Sequence, residues 1–168
     1  MNDVHEIALA ISTEAPGDAA EAVALVDRVF GPGRLAKAAE RLREGNRFVP
    51  ELSFTAREEG RLVGTVRLWP VRIGDRPALL LGPIAVDPGA RNRGLGATLV
   101  ERACDAARKA GHAVIVLVGD VAYFERLGFV HAPDGPVIMP GPADPSRILV
   151  RGLKPGALDG VGGEVRLP

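Results

Sequence analysis

The chain has 168 residues, 46% of them apolar and 25% charged, with 21 basic residues balanced by 21 acidic ones. That size and mix suit one domain whose core needs no disulfide staples. Zero net charge gives no global attraction to DNA, RNA or an anionic membrane. The lone Cys104 has no partner for an internal disulfide and fits a reducing, cytoplasmic setting. Met1 to Glu6 lacks the charged-then-apolar order of a signal peptide, and no apolar run approaches the roughly 18 residues of a membrane span.

In chain order, Glu6 to Thr13 reads as a first strand. Asp18, with Glu21 three residues on, reads as a helix N-cap. Ala22, Leu25, Val26, Val29 and Phe30 then follow at helical spacing, and Gly31-Pro32 ends the helix. Arg34 to Glu44 reads as a second, more polar helix. Leu52, Phe54 and Ala56 alternate with polar residues as in a strand. After a turn at Glu59-Gly60, Leu62 to Ile73 completes a hairpin. Gly74-Asp75 turns the chain again. Pro77 to Val86 is continuously apolar, the mark of a strand buried on both faces. A helix from Gly94 to Ala110 ends at Gly111. Ala113 to Val118 is a second apolar strand, Asp120 caps a short helix through Leu127, and Gly128-Phe129 starts another strand. Arg147 to Arg151 reads as a late strand, and the Gly-rich tail from Gly152 carries no clear pattern. There is no internal repeat and no linker, so one α/β domain with a mixed sheet spans residues 1–168, the early hairpins arguing against a purely parallel sheet.

The chemistry concentrates at residues 89–97. A buried strand runs into a tight turn, and the turn opens a helix. Gly94 and Gly96 let ligand atoms approach the backbone. The first N–H groups of the helix lack internal partners and face an incoming anion, favoured by the helix dipole. Arg91 and Arg93 add positive charge, so a diphosphate is the natural guest. A dinucleotide fingerprint starting at Gly94 needs glycine where Leu99 stands. A Walker A loop starting at Gly89 needs lysine where Leu95 stands. What remains is R-x-x-G-x-G, formed by Arg91, Gly94 and Gly96.

With Leu81 to Pro88 before it, this motif resembles that of the GNAT superfamily of N-acetyltransferases. Those enzymes bind the pyrophosphate of acetyl-CoA on [Q/R]-x-x-G-x-[G/A] between a central strand and a helix. Tyr123-Phe124-Glu125-Arg126-Leu127-Gly128-Phe129 is similar to the family's second signature, and the tail from Leu153 to Leu158 resembles one bacterial subgroup. The resemblance implies a mixed central sheet with splayed parallel strands, flanked by helices. It implies acetyl-CoA as co-substrate, a small-molecule or peptide amine as acceptor, and no metal. Coenzyme contacts then fall on Ile84, Ala85, Val86, Arg91, Asn92, Arg93, Gly94, Leu95, Gly96, Ala97 and Phe124. Gly82-Pro83 would mark the bulge at which the central strand leaves Ala113 to Val118, or else a loop between two short strands. The gap would admit the pantetheine arm as an extra strand, with Ile84 and Val86 supplying its backbone partners.

The implied reaction is direct attack of a primary amine on the thioester. The amine must be neutral, which at pH 7 costs roughly 4–5 kcal/mol for a lysine-like group and about 1 kcal/mol for an α-amine. A free N–H near Ile84 to Val86 would steady the oxyanion. Many members place a tyrosine four residues before the Gly of Gly-Phe, to protonate the leaving thiolate. Here that residue is Phe124, and Tyr123 is one position earlier, about 100° around a helix. Tyr123 is therefore a candidate general acid, with packing as the other reading. Asp87 is either a base acting through water or a turn residue before Pro88. Trp69 either lines the acceptor pocket or packs in the core. His5, His112, His131 and Cys104 show no metal-ligand spacing. A non-catalytic acyl-CoA-binding module on the same fold is the alternative, and a nucleotide-phosphate binder a more distant one. The oligomeric state stays open, with the apolar late strand as a possible homodimer surface.

Overall fold

The computed structural model describes residues 9–91 and 93–168. The elements run β1 (Leu9–Thr13), α1 (Ala19–Phe30), β2 (Phe54–Glu58), β3 (Arg61–Ile73), β4 (Arg76–Val86), α2 (Leu95–Lys109), β5 (Val114–Val118), α3 (Val121–Glu125), β6 (Val137–Ile138), β7 (Ile148–Gly152) and β8 (Gly163–Arg166). The strands form a mixed sheet in the order β1-β2-β3-β4-β5-β7. Neighbours along it are antiparallel except β4 and β5, which are parallel. No helix among the described residues is long and apolar enough to cross a membrane.

Side chains alternate across a strand, and that alternation divides the core. Leu68, Leu79, Leu81, Ile115, Leu117 and Leu149 face α2, where they meet Leu99, Val100 and Ala103. Trp69, Leu80, Val116 and Val150 face the other way, onto Leu42, Met139 and Val161. The apolar stripe of α1 (Ala22, Leu25 and Val26) packs on Leu62 and Ala85. The runs in β4 and β5 are continuously apolar because both faces are covered.

Four local expectations need correction. The segment from Arg34 to Glu44 is not an α-helix but two 3-10 turns, Pro32–Ala36 and Ala38–Leu42. Lys37 between them is extended, at φ −72° and ψ 145°. That break lets Ala38 and Leu42 reach the core while Arg34 and Arg43 converge on Glu40. Asp18 precedes α1 but does not cap it with its side chain. Its carboxylate accepts from the Ala15 N–H at 2.8 Å and from Arg57 at 2.7 Å, and Glu21 binds the same guanidinium. The strand expected from Gly128 is reduced to one bridge, Val130 to Val150. Pro133 and Pro136 follow, and neither can donate to a ladder. The tail is ordered as β8, which pairs with the end of β3 and with β6. Its glycines serve close approach: a β-carbon at Gly163 would stand 3.3 Å from the Gly74 backbone. The part of the first strand before Leu9 lies outside the described residues.

The late strand β7 is buried between β5 and the Val130 bridge, with Ile148, Leu149 and Val150 inside the chain. It therefore offers no exposed apolar face. Just past β1, Glu14 is buried and holds Arg67 by two bonds, 3.0 and 2.6 Å, while the guanidinium covers the Phe48 ring at 4.1 Å. Removing one partner of such a pair strands a buried charge. Glu14→Ala should cost about 3–5 kcal/mol in urea unfolding, and Glu14→Leu with Arg67→Met should recover most of that loss.

Candidate active site

The central feature is a parting of β4 and β5. Their ladder has two residue pairs, Leu79 with Ile115 and Leu80 with Val116. Beyond Leu80 the strands separate, while β5 stays fully paired with β7 on its other edge. On the β3 side the register slips between Val66 and Leu68, so that Gly82 and Pro83 oppose Arg67 alone. This is a β-bulge, which bends its strand and ends regular pairing. Gly82 takes φ 135° and the Gly82–Pro83 bond is cis. The Trp69 indole N–H donates to the Gly82 carbonyl at 2.6 Å and fixes the bulge from β3. The sequence offered Trp69 as pocket lining or core; it is core, packed edge-on against Phe48, and its rim touches only a smaller hollow beside the main cleft.

Hydrogen-bond parity then decides which peptide groups are free. In an antiparallel strand, the N–H and C=O of one residue point to the same side, and successive residues alternate. The Asp87 N–H bonds the Val63 carbonyl at 2.8 Å, so Asp87 faces β3. Ala85, opposite Thr65, does likewise. Ile84 and Val86 must therefore turn their N–H and C=O groups away from β3, into the gap toward β5. Arg91 reaches back to the Val86 carbonyl at 3.3 Å. Ala85 was expected among the contacts as well, but its peptide groups face β3 and its methyl packs against α1.

The gap opens as a cleft of about 370 Å3. Leu81 to Ile84 form one wall, Leu117 to Asp120 the other, and Phe124 lies between them. Phe124 is buried and its ring fills the place of a side chain at Gly119, where a β-carbon would stand 2.4 Å from Cε2. Phe129 and Tyr123 meet that ring edge-on at 5.7 and 4.9 Å. The Asp120 carboxylate fixes the start of α3 by accepting from the Tyr123 N–H at 2.8 Å.

At the far end of β4, the chain passes Asp87 and enters α2. Gly94 is left-handed (φ 69°), and its carbonyl accepts the Thr98 N–H and hydroxyl, both at 3.0 Å. The N–H groups of Leu95, Gly96 and Ala97 precede that first intrahelical bond and have no acceptor within the helix. Asn92 lies outside the described residues. Arg91 is exposed beside the turn. Arg93 is drawn to Glu58 of β2, an ion pair that the sequence gave no reason to expect.

Tyr123 lies elsewhere than a cleft-facing acid would. Its hydroxyl rests on Gly96, where a β-carbon would be 2.7 Å away, and near Val86. It is not on the cleft wall, whereas Phe124 is. Burial pushes its pKa above the ordinary phenol value. Asp87 accepts from the Gly89 N–H at 3.0 Å and pairs with Arg28 at 3.2 Å and Arg61 at 3.7 Å. The Gly89 bond and the two guanidinium groups hold its carboxyl below the usual range, so it behaves as a turn residue and a weak base. Among the described residues no three His, Cys, Asp or Glu side chains stand where a metal ion could be held.

One residue the sequence reading passed over is Arg43. Its guanidinium lies against the bulge, with Nη2 2.9 Å from where a β-carbon of Gly82 would be. Nη1 donates to Glu40 at 3.0 Å, and Nε is buried without a partner. Burial pushes its pKa down from the ordinary arginine value. Nothing local in a polar segment signals this, because the contact with Gly82 spans the fold.

The β-bulge, the parted parallel pair and the bare helix N-terminus thus lie along β4 and its continuation into α2. Residues 20–129 match the acetyltransferase (GNAT) family. The chain is 34% identical to the uncharacterised N-acetyltransferase YhbS of Escherichia coli K12 over 157 residues, 92% of this chain and 93% of that one. The crystal structure of Escherichia coli YhbS in complex with CoA has the same fold, with TM-score 0.81 and 32% identity over 96% of this chain and 91% of that one. A GNAT family acetyltransferase from Brucella melitensis, crystallised with acetyl-CoA, shares the fold at TM-score 0.70 and 24% identity, over 96% of this chain and 97% of that one. The chain belongs to the acetyltransferase (GNAT) family and is an acyltransferase.

The close seat of Phe124 on Gly119 gives a direct check. Gly119→Ala should displace the ring and cost about 1–3 kcal/mol in urea unfolding. Gly17→Ala, at an exposed glycine with nothing within 4 Å of the added carbon, should stay near wild type.

Proposed function

We propose that the protein transfers an acetyl group from acetyl-CoA to a primary amine by direct attack on the thioester. The observation that carries this is the gap between β4 and β5, into which Ile84 turns its N–H and C=O and Val86 its N–H, the Val86 carbonyl already accepting from Arg91. A pantetheine arm has amides spaced along its length and can pair there as a strand would. Its diphosphate then reaches the N–H groups of Leu95, Gly96 and Ala97, with the Arg91 charge alongside. The thioester falls near the bulge, where the Ile84 N–H is placed to donate to the developing oxyanion.

In the reaction the amine lone pair forms the C–N bond, the carbonyl π electrons move to oxygen, and collapse expels the CoA thiolate. The amine proton leaves to solvent or a base, and the thiolate takes up a proton. Phe124 has no proton to give, and the Tyr123 hydroxyl, the one hydroxyl of this signature, would have to reach the thiolate from its seat on Gly96. Two features also support a non-catalytic acyl-CoA-binding module. Phe124, not Tyr123, faces the cleft, and the wall carboxylates Asp120 and Asp144 are occupied as caps of the turns that follow them. One domain spanning the whole chain serves either reading.

Acetyl-CoA at 100 times its Kd should stabilise the protein by about 2.7 kcal/mol, raising Tm by roughly 5–10 °C for a chain of this size. ATP and NAD should not do so. Equal shifts with all three, or none, would sink the proposal. Gly94→Glu puts bulk and negative charge at the helix N-terminus and should abolish the shift. Gly94→Asn, a residue that tolerates the left-handed conformation, serves as the folded control. Tyr123→Phe should lower kcat by about a hundredfold or more with little change in acetyl-CoA affinity if the hydroxyl is the acid. Equal losses in both would mark Tyr123 as a coenzyme contact, and persistent binding without turnover across an amine panel would favour the module.

A further inference from the structure

We infer that the acceptor is a small amine bearing a carboxylate, and that Arg43, assisted by Lys37, holds that carboxylate at the bulge end of the cleft. This rests on the acetyl-transfer reading above and extends it to the class of acceptor.

The charge on the cleft wall is uneven. Four cations (Arg34, Lys37, Arg43 and Arg147) stand against two carboxylates, Asp120 and Asp144. Both carboxylates are already engaged. Asp120 accepts from the Tyr123 N–H, and Asp144 accepts from the N–H and hydroxyl of Ser146 at 3.0 and 2.8 Å. Arg34 is satisfied by Asp27 at 2.8 Å and lies 3.7 Å from Glu40. Lys37 sits 5.2 Å over the Phe30 ring, and Arg147 donates to the Gly119 carbonyl at 3.1 Å; neither is in an ion pair among the described residues. With Asp27 and Glu40 counted as the partners of Arg34 and Arg43, the charges balance in number, but Lys37 and Arg147 are left without a carboxylate among the described residues.

These cations are misplaced for the coenzyme. The charged groups of acetyl-CoA are its phosphates, which belong at the α2 N-terminus beyond Val86. Arg43 is at the other end of the splayed segment, on Gly82. Its Nη1 is bound to Glu40 and Nε is buried, whereas Nη2 makes no hydrogen bond among the described residues and is not sealed off. A buried polar group without a partner is costly, and a guanidinium presents a planar fork that matches a carboxylate. A carboxylate oxygen in the cleft would give Nη2 an acceptor, while Lys37 adds charge from the rim. The cleft of about 370 Å3 must also hold the acyl end of the coenzyme, so the acceptor is small.

The test is a panel of amines in matched pairs, each amino acid beside its carboxamide, with product detected by mass spectrometry and acetyl-CoA binding followed separately by thermal shift. Wild type should favour the carboxylate members by about tenfold or more in kcat/KM. Arg43→Gln should erase most of that preference chiefly through KM, while acetyl-CoA still raises Tm. Because Arg43 is half-buried and paired with Glu40, Lys37→Gln, at an exposed position, provides a second variant expected to reduce the same preference in part. Equal or better use of the carboxamides overturns the inference. So does a preference untouched by both variants, acetylation confined to the termini of larger acidic peptides, or no acetylation in the panel by a protein that binds acetyl-CoA. Absence of any acetyl-CoA shift in the wild-type protein would instead strike at the acetyl-transfer reading itself.

Discussion

The site depends on β4 being paired on one edge and released on the other. A strand inside a sheet normally satisfies its peptide groups on both sides, and a buried peptide group without a partner costs about 1–3 kcal/mol. Here β4 keeps β3 throughout, on either side of the bulge, and gives up β5 after Leu80. The loss is tolerated because β5 is held independently by five pairs with β7. It is also tolerated because Pro83 has no N–H to leave unpaired and the Gly82 carbonyl has the Trp69 indole. What stays open are the Ile84 groups and the Val86 N–H, and they open toward a cleft that a strand-like ligand can enter. The bulge thus serves as a hinge between a closed half of the sheet and a receptive half.

Charge follows the same division. The chain is neutral overall, yet each end of the receptive segment is locally positive. Near Val86 the positive character comes from backbone N–H groups at the start of α2, supported by Arg91. Near Gly82 it comes from side chains, chiefly Arg43, carried by the two 3-10 turns after α1. These two sources differ in kind. Helix N–H groups are fixed in direction and suit a diphosphate, whereas a guanidinium fork suits a planar carboxylate. Elsewhere the arginines are absorbed: Arg57 by Asp18 and Glu21, Arg67 by Glu14, and Arg93 by Glu58.

The aromatic pair at α3 shows how little acid–base machinery the cleft presents. Phe124 fills the space over Gly119 and forms part of the wall. Tyr123 turns its hydroxyl onto Gly96, at the start of α2. In the proposed reaction, holding the thioester and amine together with a backbone donor for the oxyanion would supply the rate; orientation and preorganised dipoles are large contributions by themselves.

The sequence by itself determined the succession of β1 to β5 with α1, α2 and α3, the late strand β7, the R-x-x-G-x-G turn into α2, the awkward Gly82-Pro83 within an apolar strand, and phenylalanine at position 124. These are legible because they rest on local rules: glycine for close approach, proline for a missing donor, and side-chain period for burial. It misjudged the stretch after α1, where Ala38 and Leu42 keep a helical spacing that tertiary packing turns into two 3-10 turns around an extended Lys37. Only the tertiary structure decided how far β4 and β5 part, that Ile84 and Val86 and not Ala85 face the gap, and that β8 closes onto β3. The placement of Arg43 on Gly82, and the pairing of Arg93 with Glu58, were decided there too. Each of those depends on register between strands or on contact between residues 35 or more positions apart, and a linear pattern carries no record of hydrogen-bond parity or of which distant charge will be near.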